Sequence, residues 1–182
     1  MNPSGAPTPA DPGEDQDAAV VERQLGRAPR GSCTVAHRCR CGLPDVIATA
    51  PRLADGSPFP TLFYLTCPRA NSAIGTLEAS GLMARMTERI AANPGLADRY
   101  AAAHRDYLRR RDALGPLPTR ESAGGMPTRV KCLHALVAHS LAVGPGVNPL
   151  GDETLELLPE WGAAGPCVQV PAGGVPAGEV PA

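Results

Sequence analysis

The sequence predicts an α+β fold in which a small antiparallel sheet is followed by four or five packed helices. Three short segments between residues 32 and 67 are rich in β-branched and aromatic residues and are separated by turn-forming residues, which is typical of strands. After residue 68, apolar residues recur every three or four positions, which is typical of helices that bury one face. Strands followed by a run of helices indicate the α+β class.

The length and composition predict one folded domain with a disordered segment at each end. The chain has 182 residues, and its 43% hydrophobic content includes only 3% aromatic residues, so the core must consist mainly of Ala, Leu and Val. Residues 1–18 are rich in Pro, Gly, Ala and acidic residues without periodicity, which predicts disorder. We expect a single α+β domain over residues 19–160 and a flexible Pro/Gly-rich tail over residues 161–182.

The net charge and the hydropathy of the chain limit the kinds of partner and the cellular compartment that we expect. The net charge of −1 gives no reason to expect nonspecific nucleic-acid binding. No stretch approaches the roughly 18 apolar residues of a membrane-spanning helix, and the N-terminus lacks the features of a secretory signal. A cytoplasmic protein is therefore expected, in which the six cysteines are reduced, metal-binding or reactive rather than paired in disulfides.

The strand segments are SCTVAHRC, DVIATA and PTLFYLTC, beginning at residues 32, 45 and 60. The turn-forming CGLP separates the first two, and a loop containing Asp55-Gly56 and two prolines precedes the third. Both faces of the third segment are apolar, which predicts a strand that is covered on both sides.

The helices are delimited by prolines, glycines and caps. Pro68 suits the first turn of a helix that ends near Gly81, and LMARMTERIAA forms the next. Asn93 caps a third helix, for which the sequence predicts a buried stripe. That stripe consists of Leu96, Tyr100, Ala103, Tyr107 and Leu114. Thr128 is the predicted cap of a helix that continues through residue 143, and GDETLELLPEW forms a short last helix.

The stretch KCLHALVAH, residues 131–139, concentrates one cysteine and two histidines. On a helix that begins at Thr128, Cys132 lies in or near the first turn, where the helix dipole and Lys131 favour a thiolate. At about 100° per residue, Cys132 and His139 share a face and His134 points nearly opposite. At most one or two metal ligands can come from such a helix, so the others must come from elsewhere in the fold.

Three cysteines in separate segments suggest a metal site. Cys39 and Cys41 leave the same face of a strand, and Cys67 lies where a strand meets a helix. We hypothesise that Cys39, Cys67 and Cys132 converge on zinc or an iron–sulfur cluster. The fourth ligand in this hypothesis is Cys41, His134 or His139.

Two alternatives come from other functional classes. One is a metal-free thiol enzyme that uses Cys67 or Cys132 as its nucleophile. A purely structural role, in which the thiols are buried and the histidines are hydrogen-bonded, would explain the same residues. The other is a non-enzymatic adaptor that binds a phosphate-bearing partner through Arg105 and the run Arg109–Arg111. Because Asp106 and Asp112 interrupt these arginines, a solvated helix face also explains them.

Four segments carry a resemblance to a known family: CRCGLPDVI, DGSPFPTLFYLTCPR, IGTLEASG and RVKCLHALVAHSLAVGPGVNPLGDE. Over about residues 30–158, the chain resembles a bacterial family that is catalogued as domain of unknown function family 501. Family genes often lie beside those for a septum-formation initiator and an exopolyphosphatase, so the resemblance implies a division-related or polyphosphate-related partner.

The family pattern matches this chain at eight positions. These are Cys39, Gly42, Pro44, Cys67, Pro68, Cys132, His134 and His139. The family usually has an apolar or aromatic residue where this chain has Cys41. That departure favours His134 or His139 over Cys41 as a fourth ligand.

Overall fold

A three-stranded antiparallel sheet forms the first half of the molecule. The structure, a computed structural model, describes residues 12–169, with side chains from residue 15 onward. The strands are β1 (Cys33–Arg38), β2 (Pro44–Thr49) and β3 (Phe63–Leu65), and they pair in the order β1-β2-β3. β1 and β3 lie within the predicted strand segments, and β2 begins one residue before its predicted segment.

A β-bulge changes the direction of side chains along β1. Val35 pairs with Ile47 and His37 pairs with Val46, so two residues of β1 stand opposite one of β2. As a result, the adjacent residues Ala36 and His37 both face the helical layer. Ala36 packs against the hydrophobic core, and His37 lines cavities formed with the two last helices.

Among the described residues, five helices follow the sheet, which confirms the predicted α+β class. They are α2 (Pro68–Ala79), α3 (Leu82–Ala92), α4 (Pro94–Leu114), α5 (Leu133–Val143) and α6 (Pro149–Glu156). The Asn93 side chain accepts a hydrogen bond from the Leu96 amide at 3.0 Å, as predicted for a cap. Asn148 caps α6 in the same way, through the Gly151 amide at 3.1 Å.

The predicted stripe along α4 is correct except at its last position. Leu96, Tyr100, Ala103 and Tyr107 are buried, whereas Leu114 is 59% exposed. The helix continues beyond the core for its last turn, where Arg111 is buried in place of an apolar residue.

A helix that the sequence patterns do not predict precedes the sheet. α1 (Pro12–Leu25) includes residues 12–18, which were expected to be disordered, while residues 1–11 lie outside the described part of the chain. Val20 and Val21 of this helix are buried, and Val21 lines a cavity with Ile47. The neighbouring Val46 belongs instead to the main core, so α1 covers the face of the sheet opposite the other helices.

Residues 161–169, expected to belong to a flexible tail, contact the domain. Arg69 donates hydrogen bonds to the carbonyl oxygens of Gly165 at 2.8 Å and Pro166 at 3.1 Å. Cys167 Sγ accepts a hydrogen bond from Gln24 Nε2 at 3.3 Å. The segment that makes these contacts lies beyond residue 160, where the single domain was expected to end. Residues 170–182 lie outside the described part of the chain.

Candidate metal centre

Helix α5 begins later than predicted, and this changes the position of Cys132 relative to His134. The helix begins at Leu133 with Cys132 as its N-cap residue, not at Thr128. The preceding amides are occupied elsewhere: Val130 donates to Thr87 Oγ1 at 3.0 Å and Lys131 donates to the Gly124 carbonyl at 2.7 Å. Because the backbone at Cys132 is extended, the Cys132 and His134 side chains approach each other instead of lying on opposite helix faces.

Glu78 of α2 caps α5 in place of a local side chain. Its Oε1 atom accepts a hydrogen bond from the Leu133 amide at 2.6 Å. The unpaired amides and the positive end of the helix dipole both favour a carboxylate at this position. This contact places Glu78 beside the two side chains at the start of α5.

Glu78, Cys132 and His134 form a compact cluster. Nδ1 of His134 lies 3.1 Å from Oε1 of Glu78 and 3.9 Å from Sγ of Cys132. One ligand atom from each residue lies within 4.8 Å of the others, and no other such group of three occurs among the described residues. Asn71 orients the ring, because its backbone oxygen lies 3.2 Å from Nε2 of His134.

The electrostatics of the cluster favour a cation. The hydrogen bond with Cys132, followed by the charge of Glu78, raises the pKa of His134 to about 9 despite partial burial. The side chains of His134 and Glu78 are 30% and 23% exposed, so the cluster is reachable from solvent. A metal ion at the same place would be attracted by the Glu78 carboxylate and would displace the proton of His134 Nδ1 on binding.

The cluster opens onto a cavity of about 520 Å³, which Cys132 and His134 line. Most of its wall is apolar and includes Phe63, Tyr64 and Leu65 of β3, while Thr61 and Asn71 add polar groups. Gly124 lines the same cavity with a left-handed φ of +68°, and a Cβ atom there would lie 2.8 Å from the Leu136 side chain. A residue larger than glycine therefore does not fit this wall without movement of Leu136.

The other predicted ligands lie elsewhere. Cys39 is buried, and burial raises the pKa of its thiol, which is next to Cys41, to about 11. Cys67 is fully buried at the N-cap of α2 next to Cys167, and burial raises its pKa to about 12. Neither belongs to a three-residue group with Cys132, so the structure does not bring together the three thiols of the hypothesis.

His139 is held in the core by other partners. Its Nε2 lies 3.1 Å from Oδ2 of Asp106, and its Nδ1 lies 3.3 Å from Nδ2 of Asn148. The ring is fully buried, and this burial lowers the pKa of His139. With both nitrogens engaged, His139 fits a structural role.

Glu78 was missed by the sequence analysis, although a signal for it exists. It lies in the last turn of α2, where the dipole disfavours an acidic side chain. Such a residue suggests a partner outside its own helix. The identity of that partner, the start of α5, depends on contacts 55 residues away along the chain.

Three arginines of α4 make hydrogen bonds or ion pairs within the protein. Arg111 is fully buried and donates to the carbonyl oxygens of Glu121 at 2.6 Å and Thr119 at 2.9 Å. Arg109 and Arg110 both pair with Asp106. The adaptor function and its division-related or polyphosphate-related partner stay predictions.

The fold and the cluster define an α+β protein with a Cys–His–carboxylate group beside a largely apolar cavity. A family model described as "Protein of unknown function (DUF501)" matches residues 35–156, more than half of the chain. The chain belongs to this family, which confirms the resemblance. No curated protein and no solved structure matches the chain. Among the described residues, no helix combines the length and apolar character needed to cross a membrane.

Proposed function

We propose that this protein binds a zinc ion through Glu78, Cys132 and His134 and presents it to a small molecule in the adjoining cavity. The observation that carries the proposal is the orientation of His134. Its Nε2 faces the Asn71 carbonyl, which accepts a hydrogen bond from the ring, and its Nδ1 faces the other two residues, where it can bind a metal ion once its proton is released. Metal-binding histidines characteristically use one nitrogen as ligand while the other donates to a carbonyl or carboxylate.

The distances in the cluster support this proposal. Tetrahedral zinc with ordinary bond lengths separates a nitrogen from a sulfur ligand by about 3.6 Å and from an oxygen ligand by about 3.4 Å. The corresponding distances from His134 Nδ1 are 3.9 Å to Cys132 and 3.1 Å to Glu78. Movements of a few tenths of an ångström in these partly exposed side chains would produce the tetrahedral arrangement.

The composition of the cluster favours zinc chemistry at an open site. Iron–sulfur clusters are usually held by several thiolates, and this group contains one, from Cys132. Zinc accepts mixed sulfur, nitrogen and oxygen ligands, and sites with three protein ligands keep the fourth position for water or substrate. Here that position would face the cavity of about 520 Å³, a volume within the range of small-molecule sites.

Metal analysis of the full chain, purified without chelators, tests the proposal. We expect about one zinc per chain, as for a mononuclear site. The variants Cys132→Ser and His134→Ala should lose most of it, while Cys41→Ser should retain it as a control that removes a thiol outside the cluster. A zinc-free protein whose melting temperature does not change on addition of zinc would contradict the proposal.

A second function, a thiol nucleophile at Cys132, is favoured by one specific observation. The thiol lies at the N-cap of α5, 3.9 Å from a histidine that can take its proton. Glu78 would orient this histidine, as the third group does in a nucleophile–base pair. Cys67, the other predicted nucleophile, is fully buried and its raised pKa disfavours a thiolate at neutral pH.

Alkylation kinetics separate the two functions. In chelator-treated protein at neutral pH, the thiol function predicts that iodoacetamide modifies Cys132 faster than a free thiol and that His134→Ala slows this modification. Rates equal to those of a free thiol in both proteins would leave the zinc proposal as the supported function. The modified residue is identified by peptide mass spectrometry, with Cys41 as an internal comparison.

A further inference from the structure

A second cavity, of about 390 Å³, lies between the ends of the first two strands, α5, α6 and the segment after α6. It shares no lining residue with the cavity of the candidate metal centre. Its apolar wall includes Leu141, Leu155 and Leu158, and two polar groups among its lining residues have no hydrogen-bond partner within the described part of the chain.

The first of these groups is the carboxylate of Asp45. The side chain is fully buried and lines the cavity, and its Oδ1 atom lies 2.6 Å from Nδ1 of His37. Its Oδ2 atom accepts no hydrogen bond from any residue that the structure describes. Burial of an unpaired polar atom is unfavourable, and more so for a charged group, so proteins rarely retain one without a reason.

The second group is the indole of Trp161, whose Nε1 atom is buried and donates to none of the described residues. Trp161 also lines the cavity. The two unpaired atoms are complementary: the carboxylate oxygen needs a donor, and the indole N–H needs an acceptor. A ligand that satisfies both must carry a hydrogen-bond donor and an acceptor.

The wall of the cavity defines the remainder of the ligand. The β-bulge in β1 places His37 in this wall, where its side chain is 35% exposed and leaves a route from solvent. The leucines provide an apolar surface for a hydrocarbon group. Because ionised donors form the strongest hydrogen bonds to a buried carboxylate, an ammonium group suits Asp45 better than a hydroxyl group does.

We propose that this cavity binds a small amine that also carries an oxygen acceptor, an amino alcohol or amino acid with an aliphatic side chain. The ammonium group binds Oδ2 of Asp45, the oxygen accepts from Nε1 of Trp161, and the side chain packs on the leucines. The site is independent of the candidate metal centre and needs no metal.

Trp161 is the single tryptophan of the chain and therefore reports directly on this cavity. The full chain is titrated with leucinol, and the Trp161 fluorescence and indole N–H resonance are followed. Isohexylamine keeps the ammonium group without the oxygen, and isohexanol keeps the oxygen without the ammonium group. We expect leucinol to bind at least about tenfold more tightly than either, the effect of losing one good hydrogen bond to a charged or buried partner.

Two variants connect the signal to the site. Asp45→Asn should weaken leucinol binding at least about tenfold because the charge-assisted hydrogen bond is lost, whereas Asp55→Asn, in the exposed loop before β3, should leave it unchanged. Leu158→Phe, which fills the cavity and keeps Asp45, should also weaken leucinol binding. This second variant tests the site if Asp45→Asn does not fold. Cys132→Ser should bind leucinol normally, which separates this site from the proposed zinc function.

Three outcomes would overturn the inference. These are no response of Trp161 to any of the three probes, equal binding of leucinol and isohexanol, and unchanged leucinol binding in both Asp45→Asn and Leu158→Phe. The first would mean that solvent alone satisfies the two buried groups. The others would mean that the probes bind through their hydrocarbon part or at another place.

Discussion

Glu78 links two features that have no connection along the chain. Its oxygen caps α5 and contacts His134, so one carboxylate both completes a helix end and forms part of the proposed ligand set. The sequence pointed to Cys132 and His134 because cysteine and histidine are recognisable as ligands. It gave only an indirect signal for Glu78 and did not reveal whether Cys39 and Cys67 lie near Cys132, because both questions depend on where separate elements meet.

The pKa of His134 predicts a pH dependence of stability in chelator-treated protein. Folding raises this pKa from an ordinary 6.5 to about 9, through Cys132 first and Glu78 second. The stabilisation is therefore complete below about pH 6.5 and is lost as the pH rises through about 9. We expect a loss of about 1 kcal/mol or less, because the pair is partly exposed.

Urea denaturation at several pH values measures this dependence. The variant His134→Gln removes the titrating group and should flatten the profile in this range. A decrease of equal size in His134→Gln would assign the effect to other groups.

Arg111 and Arg109 are two arginines of one helix with opposite environments. Arg111→Ala removes hydrogen bonds to the Thr119 and Glu121 carbonyls and should lower the free energy of unfolding by about 3 kcal/mol or more. The Arg109 side chain is 71% exposed, and Arg109→Ala should change the free energy of unfolding by less than about 1 kcal/mol. Chemical denaturation of both variants checks this contrast, and equal effects would refute it.

At the scale of elements, helices with local boundary signals were the most predictable. Pro68, Gly81 and Asn93-Pro94 are read directly from the sequence, and α2, α3 and α4 begin where these residues indicate. The start of α5 was not predictable in this way. Thr128 is a plausible cap, but the following amides bind Thr87 and the loop near Gly124, which are tertiary contacts.

The missed helix α1 gives a prediction about the sheet that it covers. Val20 is 1% exposed, and Val20→Ala should destabilise the protein by about 1–3 kcal/mol, as expected for a buried valine. Glu22→Ala, on the exposed side of the same helix, should have little effect. Thermal denaturation distinguishes the two, and a neutral Val20→Ala would show that α1 contributes little to the core.

At the scale of the whole molecule, the two ends of the described chain meet over the sheet and α2. Gln24 of α1 contacts Cys167, and Arg69 of α2 holds the carbonyls of Gly165 and Pro166. The composition of residues 161–182 suggested flexibility because proline, glycine and alanine provide few local interactions. The contacts of residues 161–169 are instead long-range, and composition does not reveal them.

Loss of the Arg69 contacts should expose Cys67. In the native protein this thiol is fully buried and should not react with Ellman's reagent before unfolding. Arg69→Ala releases the segment that contains Cys167, so we expect Cys67 to become reactive, with peptide mass spectrometry identifying the site. Arg85→Ala, an exposed arginine of α3, is the matched control, and protection of Cys67 in Arg69→Ala would show that other contacts hold the segment.

Helix α5 forms part of the wall of both cavities. His134 and Ala135 at its start line one, and Leu141 near its end lines the other. Leu141 lies seven positions after His134, which corresponds to about 10 Å along the helix axis at the usual rise per residue. Both cavities are therefore adjacent to the same helix. Any effect of leucinol on zinc affinity must be matched by an equal effect of zinc on leucinol affinity, because binding free energies in a thermodynamic cycle are reciprocal.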